Sequence, residues 1–269
     1  MPELPEVETT RRGLAPWMEG RVLVGAEVRE PRLRYPVPVD LDRRVAGSRI
    51  QALRRRGKYL IVALSSGWLL VHLGMSGSLR LVPADRAPGD HDHIDLLLDS
   101  GQAARLTDPR RFGSVLWGEG DPLAHRLLAR LGPEPLGEAF SGDLLYRRSR
   151  GRRAAVKAFL MDAGVVVGVG NIYANEALYR AGIRPDRPAG RVGLGRYRRL
   201  ADAVREVLQE ALEAGGTTLR DFTGGDGRPG YFAVTLAVYG GGACPGCQRT
   251  LRAVRLAQRS TWYCPGCQR

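Results

Sequence analysis

No cysteine precedes Cys244 in this chain of 269 residues, and all four cysteines crowd into its C-terminal end. That distribution excludes a disulfide-stapled secreted scaffold. No apolar run approaches the roughly 18 residues that a membrane-spanning helix needs. The N-terminus is acidic where a signal peptide would be basic, and no apolar core follows it. Acids are in short supply as well: 28 Asp and Glu face 41 Lys and Arg, for a formal net charge of +13. Lysine occurs only at Lys58 and Lys157, so arginine supplies nearly all of the positive charge. Such a field favours a polyanion, whether DNA, RNA or an anionic membrane surface. A cytosolic protein with access to DNA is expected. No internal repeat and no low-complexity tract interrupts the chain.

What is present suggests one large or two modest domains, with an apolar share of 43%. Residues 5 to about 18 place Val7, Leu14 and Trp17 or Met18 on one helical face. RVLVGAEV, RIQALRRR, KYLIVAL, WLLVHLGM, SLRLV, HIDLLLD, ARLTD and SVLWG then read as short strands between Gly, Pro, Asp and Ser. That rhythm predicts a sandwich or barrel. Beyond residue 122 the pattern turns helical, in LAHRLLARL, DLLYRRSR, AAVKAFLMDA, NIYANEALYRA and RYRRLADAVREVLQEALEA. A Gly-rich link over 215–230 leads to a terminal hairpin.

The hairpin carries Cys244, Cys247, Cys264 and Cys267 in the spacing C-x2-C-x16-C-x2-C. Four thiolates converging from two CPGC knuckles suit one structural Zn²⁺ with no open coordination position; a disulfide pair is the alternative. Arginines cluster at Arg54–Arg56, at Arg147–Arg153 beside Lys157, and along the last forty residues. Phosphate neutralisation by such clusters makes binding fall with salt. They favour nucleic acid over membrane, because no amphipathic helix with a broad apolar face accompanies them. VGVGNIYANE puts Asn171 at a helix start, either as a plain cap or beside a bound phosphate. TDPRRFG offers Arg110 and Phe112 on a turn, suited to a wedge that pries bases apart, and GMSG could present Met75 in the same way. In HDH, His91 or His93 fits a phosphate contact better than a second metal.

The opening MPELPE is the sharpest feature. Read plainly, Pro5 and Glu6 start a helix. If Met1 is removed, however, Pro2 presents a secondary amine. A terminal amine has an ordinary pKa of roughly 7.7–8.0, so a useful fraction is neutral and nucleophilic near pH 7.

Taken together, MPELPEVET, RRGKYL, HLGMSGSLR, HDH, TDPRRFG, LGPEPL, VGVGNIYA, GGTTLRDF, DGRPGYF, VYG and AQRSTWYCPGC closely resemble formamidopyrimidine-DNA glycosylase from end to end. The resemblance implies an α+β chain. Residues 1–132 would form an N-terminal helix plus β-sandwich, 133–230 a helical domain with a helix–two-turns–helix motif, and 237–269 a zinc-finger hairpin. It implies a monomeric, cytoplasmic bacterial repair enzyme. Such an enzyme excises oxidised purines from double-stranded DNA and cleaves the abasic site by β,δ-elimination.

Pro2 would be the nucleophile and Glu3 the proton-transfer group at the sugar ring oxygen. Lys58 would donate protons or contact phosphate. Arg259 is linked to the second elimination, where phosphate anchoring suits a guanidinium better than proton donation. Asn171 would anchor the DNA backbone, with Lys157 near the damaged strand, and His91, Arg110 and Arg153 align with DNA-binding positions. Met75, Arg110 and Phe112 look like the trio that fills the space left by the flipped base, Arg110 facing the orphaned cytosine. Glu6 aligns with a second active-site carboxylate. The cap over the damaged base would lie near 217–227. Gly241 stands where the family often has arginine, and Leu4 points to the purine branch. Two other readings remain at this point: an endonuclease VIII-like specificity for oxidised pyrimidines, and an inert zinc-ribbon protein that only binds damaged DNA.

Overall fold

The computed structural model describes residues 2–215 and 236–269, which leaves Met1 and the expected base-capping segment near 217–227 outside the described residues. The chain divides into two compact units. One is built from residues 2–129 and the other from 130–214 with 236–269.

The first unit opens with helix α1, Leu4–Met18. Glu3 caps it, Pro5 sits in its first turn, and Leu4, Val7, Leu14 and Met18 form its buried face. Eight antiparallel strands follow: β1 Val22–Val28, β2 Ser48–Arg56, β3 Tyr59–Leu64, β4 Gly67–His72, β5 Ser78–Pro83, β6 Asp92–Leu98, β7 Gln102–Thr107 and β8 Ser114–Gly118. Each corresponds to one of the eight short runs in the sequence. A short helix, α2 at Leu41–Val45, packs beside β1 and has too few residues to announce itself by periodicity. The strand order is β5-β7-β6-β1-β2-β3-β4-β8.

Only the pairs Val22↔Arg49 and Leu23↔Ser48 join the β1 side of this series to the β2 side. Leu23, Leu96 and Leu106 from the first half and Leu60, Leu69 and Val115 from the second bury into one core, together with Val7, Leu14 and Met18 of α1. Hydrogen-bonded as one eight-stranded sheet, the strands on the two sides of this narrow junction share that core, which is the expected sandwich; β3 and β4 also bury Ile61, Trp68 and Leu70 on their other face.

On the other face of the β5-side layer the register lines up Arg80, Arg105, Asp95 and Glu27. Arg105 grips the buried Asp95 through two bonds, Nε–Oδ1 at 2.8 Å and Nη2–Oδ2 at 2.7 Å, and Arg29 bonds the same carboxylate.

The second unit holds α3 Gly142–Ser149, α4 Val156–Leu160, α5 Asn171–Arg180 and α6 Leu194–Glu213, then β9 Arg252–Leu256 and β10 Arg259–Tyr263. Its core gathers Phe140, Phe159, Tyr173 and Tyr197 around the apolar faces of α5 and α6. The stretch LAHRLLARL is not the helix its spacing suggested. A single 3-10 turn at Pro122–Ala124 ends at His125, whose backbone is extended, and Leu123 is exposed. Nine residues with one fully buried leucine, Leu128, cannot offset the cost of helix nucleation. Helix α4 starts later than expected. The backbone N–H of Val156 donates to Arg187 O at 2.7 Å and that of Lys157 to Pro185 O at 3.2 Å, so an adjoining strap satisfies its first donors. Among the described residues no helix is long and apolar enough to cross a membrane.

Removing the Asp95 charge would leave two guanidinium groups buried around a neutral group. Asp95→Ala is therefore expected to lower unfolding free energy by about 3 kcal/mol or more, read from urea denaturation. A change below about 1 kcal/mol would show that solvent reaches this row of charges.

Candidate active site and metal centre

Pro2 and Glu3 lie buried at the start of α1, Glu3 at 2% exposure. Glu3 N donates to Glu6 Oε2 at 2.8 Å, one arm of a reciprocal capping box. Glu6 is thus the structural brace of Glu3. One turn further along, Glu8 bonds Arg55 Nε at 3.1 Å, and Arg55 Nη1 reaches Gly57 O at 3.0 Å. This relay ties α1 to the two-residue turn Gly57–Lys58 between β2 and β3. Burial alone would raise the Glu8 pKa; hydrogen bonds from Arg11 and Arg12 and the charge of Arg55 outweigh it and hold the carboxyl below its ordinary value.

His72, at the end of β4, pairs in register with Tyr59 beside that turn, their ring centroids 4.9 Å apart. Burial first, then the Lys58 and Arg34 charges, push its pKa down to about 4. Its Nδ1 accepts from Gly74 N at 3.0 Å, which leaves the proton of the neutral ring on Nε2. Nothing in the sequence had singled out His72, because a histidine ending an apolar strand carries no spacing signal.

Two loops interlock at this end of the sandwich. Gly74, at φ +67°, sits so close to the 108–113 turn that a Cβ would stand 2.5 Å from Gly113 N and 2.6 Å from Phe112 C. This places Met75, half-buried, on a loop adjoining that of Arg110 and Phe112. The Arg110 guanidinium lies 4.9 Å from the Phe112 ring centroid, and that ring is 43% exposed. His91 is exposed, whereas His93 is buried and donates from Nε2 to Asp108 O at 2.8 Å. The HDH segment is therefore a strap beneath this turn.

In the second unit the four cysteine sulfurs lie within 4.8 Å of one another, the one such group of His, Cys, Asp or Glu ligands among the described residues. Cys244–Cys267 and Cys247–Cys264 are separated by 3.7 and 3.4 Å, too far for disulfides. They are close to the roughly 3.8 Å edges of a tetrahedron with metal–sulfur bonds of about 2.3 Å. Cys244 is buried, which would raise its pKa, yet the Tyr179 hydroxyl at 3.3 Å and the N–H groups of Cys247 and Gly246 bring it down to about 6. The cluster can hold a metal ion.

The residues expected to meet DNA behave differently from one another. Lys157 is 1% exposed, and its ammonium donates to Asn171 Oδ1 at 2.7 Å, Thr261 Oγ1 at 2.7 Å and Ser260 O at 3.0 Å. Gly170, not Asn171, occupies the cap of α5; the Asn171 side chain instead joins Lys157 to the Tyr239 hydroxyl, 3.4 Å from Nδ2. Arg259 follows the tight turn Ala257–Gln258, both at positive φ, and is exposed at the start of β10 beside Ser260 and Thr261. Arg153 is exposed. Its neighbours Arg147, Arg148, Arg150 and Arg152 are exposed too, and two of them also bond the backbone. Arg148 donates to Gly164 O and Val165 O, and Arg150 to Tyr146 O and Val192 O.

Two organising residues went unnoticed in the sequence. Glu176 accepts the backbone N–H groups of Ala237, Val238 and Tyr239 at 2.7–3.0 Å, and Asn175 Oδ1 accepts Trp262 N at 2.9 Å. Both were hidden in NIYANEALYR as ordinary polar helix positions.

The N-terminal domain profile of formamidopyrimidine-DNA glycosylase matches residues 1–115, and its H2TH domain profile matches residues 131–223. The chain belongs to the formamidopyrimidine-DNA glycosylase family. It is 67% identical over 264 residues to the formamidopyrimidine-DNA glycosylase of Halorhodospira halophila, and 65% identical over 271 residues to that of Alkalilimnicola ehrlichii. Each alignment covers 98% of both chains. The crystal structure of the MutM (Fpg) protein from Thermus thermophilus superposes with a TM-score of 0.89 at 42% identity, covering 99% of this chain and 98% of that one. The Lactococcus lactis Fpg bound to DNA containing an abasic site gives 0.90 at 32% identity, covering 99% of each. Within this family framework the glycine at 241 has a physical reason. Its φ is +88° and a Cβ would press within 3.3 Å of the Trp262 indole, so an arginine there is strained here.

The depressed His72 pKa has a signed consequence. The unfolded imidazole, at about 6.5, takes up a proton that the folded one refuses until about pH 4. Stability from neutral His72 is present above pH 6.5 and is lost as pH falls towards 4, a loss on the order of 3 kcal/mol. Urea unfolding at pH 7 and pH 4.5 should show a smaller acid loss for His72→Asn than for the unmodified chain. Equal losses would refute the assignment.

Proposed function

We propose that the chain excises oxidised purines, 8-oxoguanine and formamidopyrimidines, from duplex DNA, and then cleaves the strand through a covalent intermediate at Pro2. The observation that carries this reading is the buried, braced start of α1, where Pro2 precedes a carboxylate held by the Glu3–Glu6 capping box. Holding a terminal proline there removes conformational freedom that an ordinary chain end would keep.

The Pro2 nitrogen attacks C1′ of the damaged nucleotide and the base leaves with the bonding electrons, taking up a proton. Glu3 moves a proton to and from the sugar ring oxygen. A secondary amine on a sugar aldehyde gives an iminium that cannot lose its charge by deprotonation at nitrogen. This cation draws electrons from the C2′–H bond, so that proton leaves and the 3′ phosphate departs; a second elimination releases the 5′ phosphate. Lys58, on its β-turn, supplies a proton or steadies a phosphate. Arg259 stabilises the departing phosphate as a fixed cation.

The four cysteines fit Zn²⁺, which when bound supplies structure rather than chemistry. It closes the knuckles flanking the hairpin that carries Arg259. Asn171, His91 and Arg153 contact the DNA backbone, while Met75, Arg110 and Phe112 occupy the space of the extruded base, Arg110 against its orphaned partner. Lys157 is assigned an indirect part. Its three donors are committed to Asn171 and the β10 strand, so it positions the anchor and the Arg259 hairpin together.

Amine chemistry makes the test unusually clean. With Met1 removed, Pro2, Lys58 and Lys157 are the chain's only amines able to form such an adduct. Borohydride reduction during reaction with duplex DNA containing 8-oxoguanine opposite cytosine, followed by peptide mass mapping, is expected to place the adduct on Pro2. An adduct on Lys58 would overturn the assigned nucleophile, and tight binding without any adduct would indicate a damage-binding protein. Glu3→Gln is expected to lower base excision by at least about a hundredfold while changing DNA affinity little. Near-normal excision by that variant would remove Glu3 from the mechanism.

A further inference from the structure

The turn that carries Arg110 and Phe112 is held by one residue. Asp108 is fully buried, at 0% exposure, and every polar group it owns is engaged. Its N–H donates to His91 O at 2.9 Å, and its carbonyl accepts both His93 Nε2 at 2.8 Å and Arg111 N at 3.1 Å. Of its carboxylate oxygens, Oδ2 accepts Gly113 N at 2.7 Å and Oδ1 accepts Arg110 N at 3.3 Å. The carboxylate therefore closes the turn from inside by charge-assisted bonds to its two ends.

Between those ends Arg111 stands in the left-handed region, at φ +55°. That conformation is disfavoured for any residue but glycine, and it persists only where the surroundings over-determine it. The surroundings here are Asp108 and Glu30, whose Oε2 accepts Arg111 Nη1 at 2.8 Å. The Arg32 guanidinium first, and Arg111 after it, hold the Glu30 carboxyl down at about 2, so the pairing persists at neutral pH. A left-handed residue turns the chain so that its two neighbours come to one side. The Arg110 guanidinium accordingly stacks on the Phe112 ring before any DNA arrives.

We infer that Asp108 and the left-handed Arg111 are positioning residues that pre-assemble the Arg110–Phe112 wedge, so that the energy of DNA binding is not consumed in ordering it. This rests on the assignment of Arg110 and Phe112 to the space of the flipped base. The device matters only where an orphaned base exists. It should therefore set the rate on duplex lesions and the preference for cytosine opposite them, and leave the elimination chemistry alone.

The experiment compares kcat/KM on duplex 8-oxoguanine opposite cytosine or adenine with strand cleavage at an abasic site in a single-stranded oligonucleotide. Asp108→Ala and Arg111→Pro, which remove the clamp and forbid positive φ respectively, are each expected to lower the duplex value at least about tenfold and flatten the cytosine preference. Single-stranded cleavage should stay within about twofold. Asp108→Asn, whose amide oxygen still accepts one bond, should recover part of the loss, and Arg111→Gly, free to adopt the same φ, should remain within about threefold of the unmodified chain. Unchanged duplex rates in Asp108→Ala and Arg111→Pro would overturn the proposal. So would a parallel fall in single-stranded cleavage, because that marks general damage to the fold. If Arg110→Ala and Phe112→Ala themselves leave duplex excision intact, the wedge assignment fails first, which separates the two outcomes.

Discussion

The bond from Glu3 N to Glu6 Oε2 constrains everything that the first unit can do. A residue at a chain end has covalent support on one side only, and it would ordinarily fray. Here the support comes from a helix that starts immediately after it. The capping box sets the direction of that helix, and its apolar face locks it onto the sandwich core. Burial then serves two ends at once. The same residues that stabilise the sandwich remove the freedom that Pro2 and Glu3 would otherwise keep.

The second unit solves a related problem with a buried cation. A hairpin of five-residue strands cannot hold a side chain in place by its own core. Lys157 donates to β10 beside Arg259, Glu176 collects the N–H groups of the segment entering the ribbon, and Asn175 fixes Trp262. Helix α5 thus acts as the template on which the hairpin is mounted, with the cysteine cluster closing its far side. An ammonium at 1% exposure would be costly without partners; with three acceptors it becomes a rigid junction.

Much of this was legible in order. The eight short apolar or alternating runs became eight strands because their length and their Gly, Pro, Asp and Ser boundaries are local properties that a one-dimensional reading captures. The cysteine spacing announced its cluster for a similar reason, since two knuckles on a hairpin converge whatever surrounds them. LAHRLLARL misled because periodicity says nothing about whether a face is available to receive it. The arginine cluster around 147–153 was legible as charge, and its arginines are exposed; that Arg148 and Arg150 also bond backbone carbonyls is a tertiary detail that no linear pattern carries.

The sequence by itself determined the chemistry available: a proline at position 2 next to a carboxylate, two lysines, four thiols and a surplus of arginine. These are properties of covalent structure and survive any fold. Only the tertiary structure decided how that chemistry is held. It made Glu6 a brace, turned His72 into a neutral ring, sank Lys157 out of reach and gave Asp108 the task of shaping a turn. Each of those outcomes depends on which polar groups lose their water and which partners replace it, and residues far apart in sequence settle that only when the chain has closed around them.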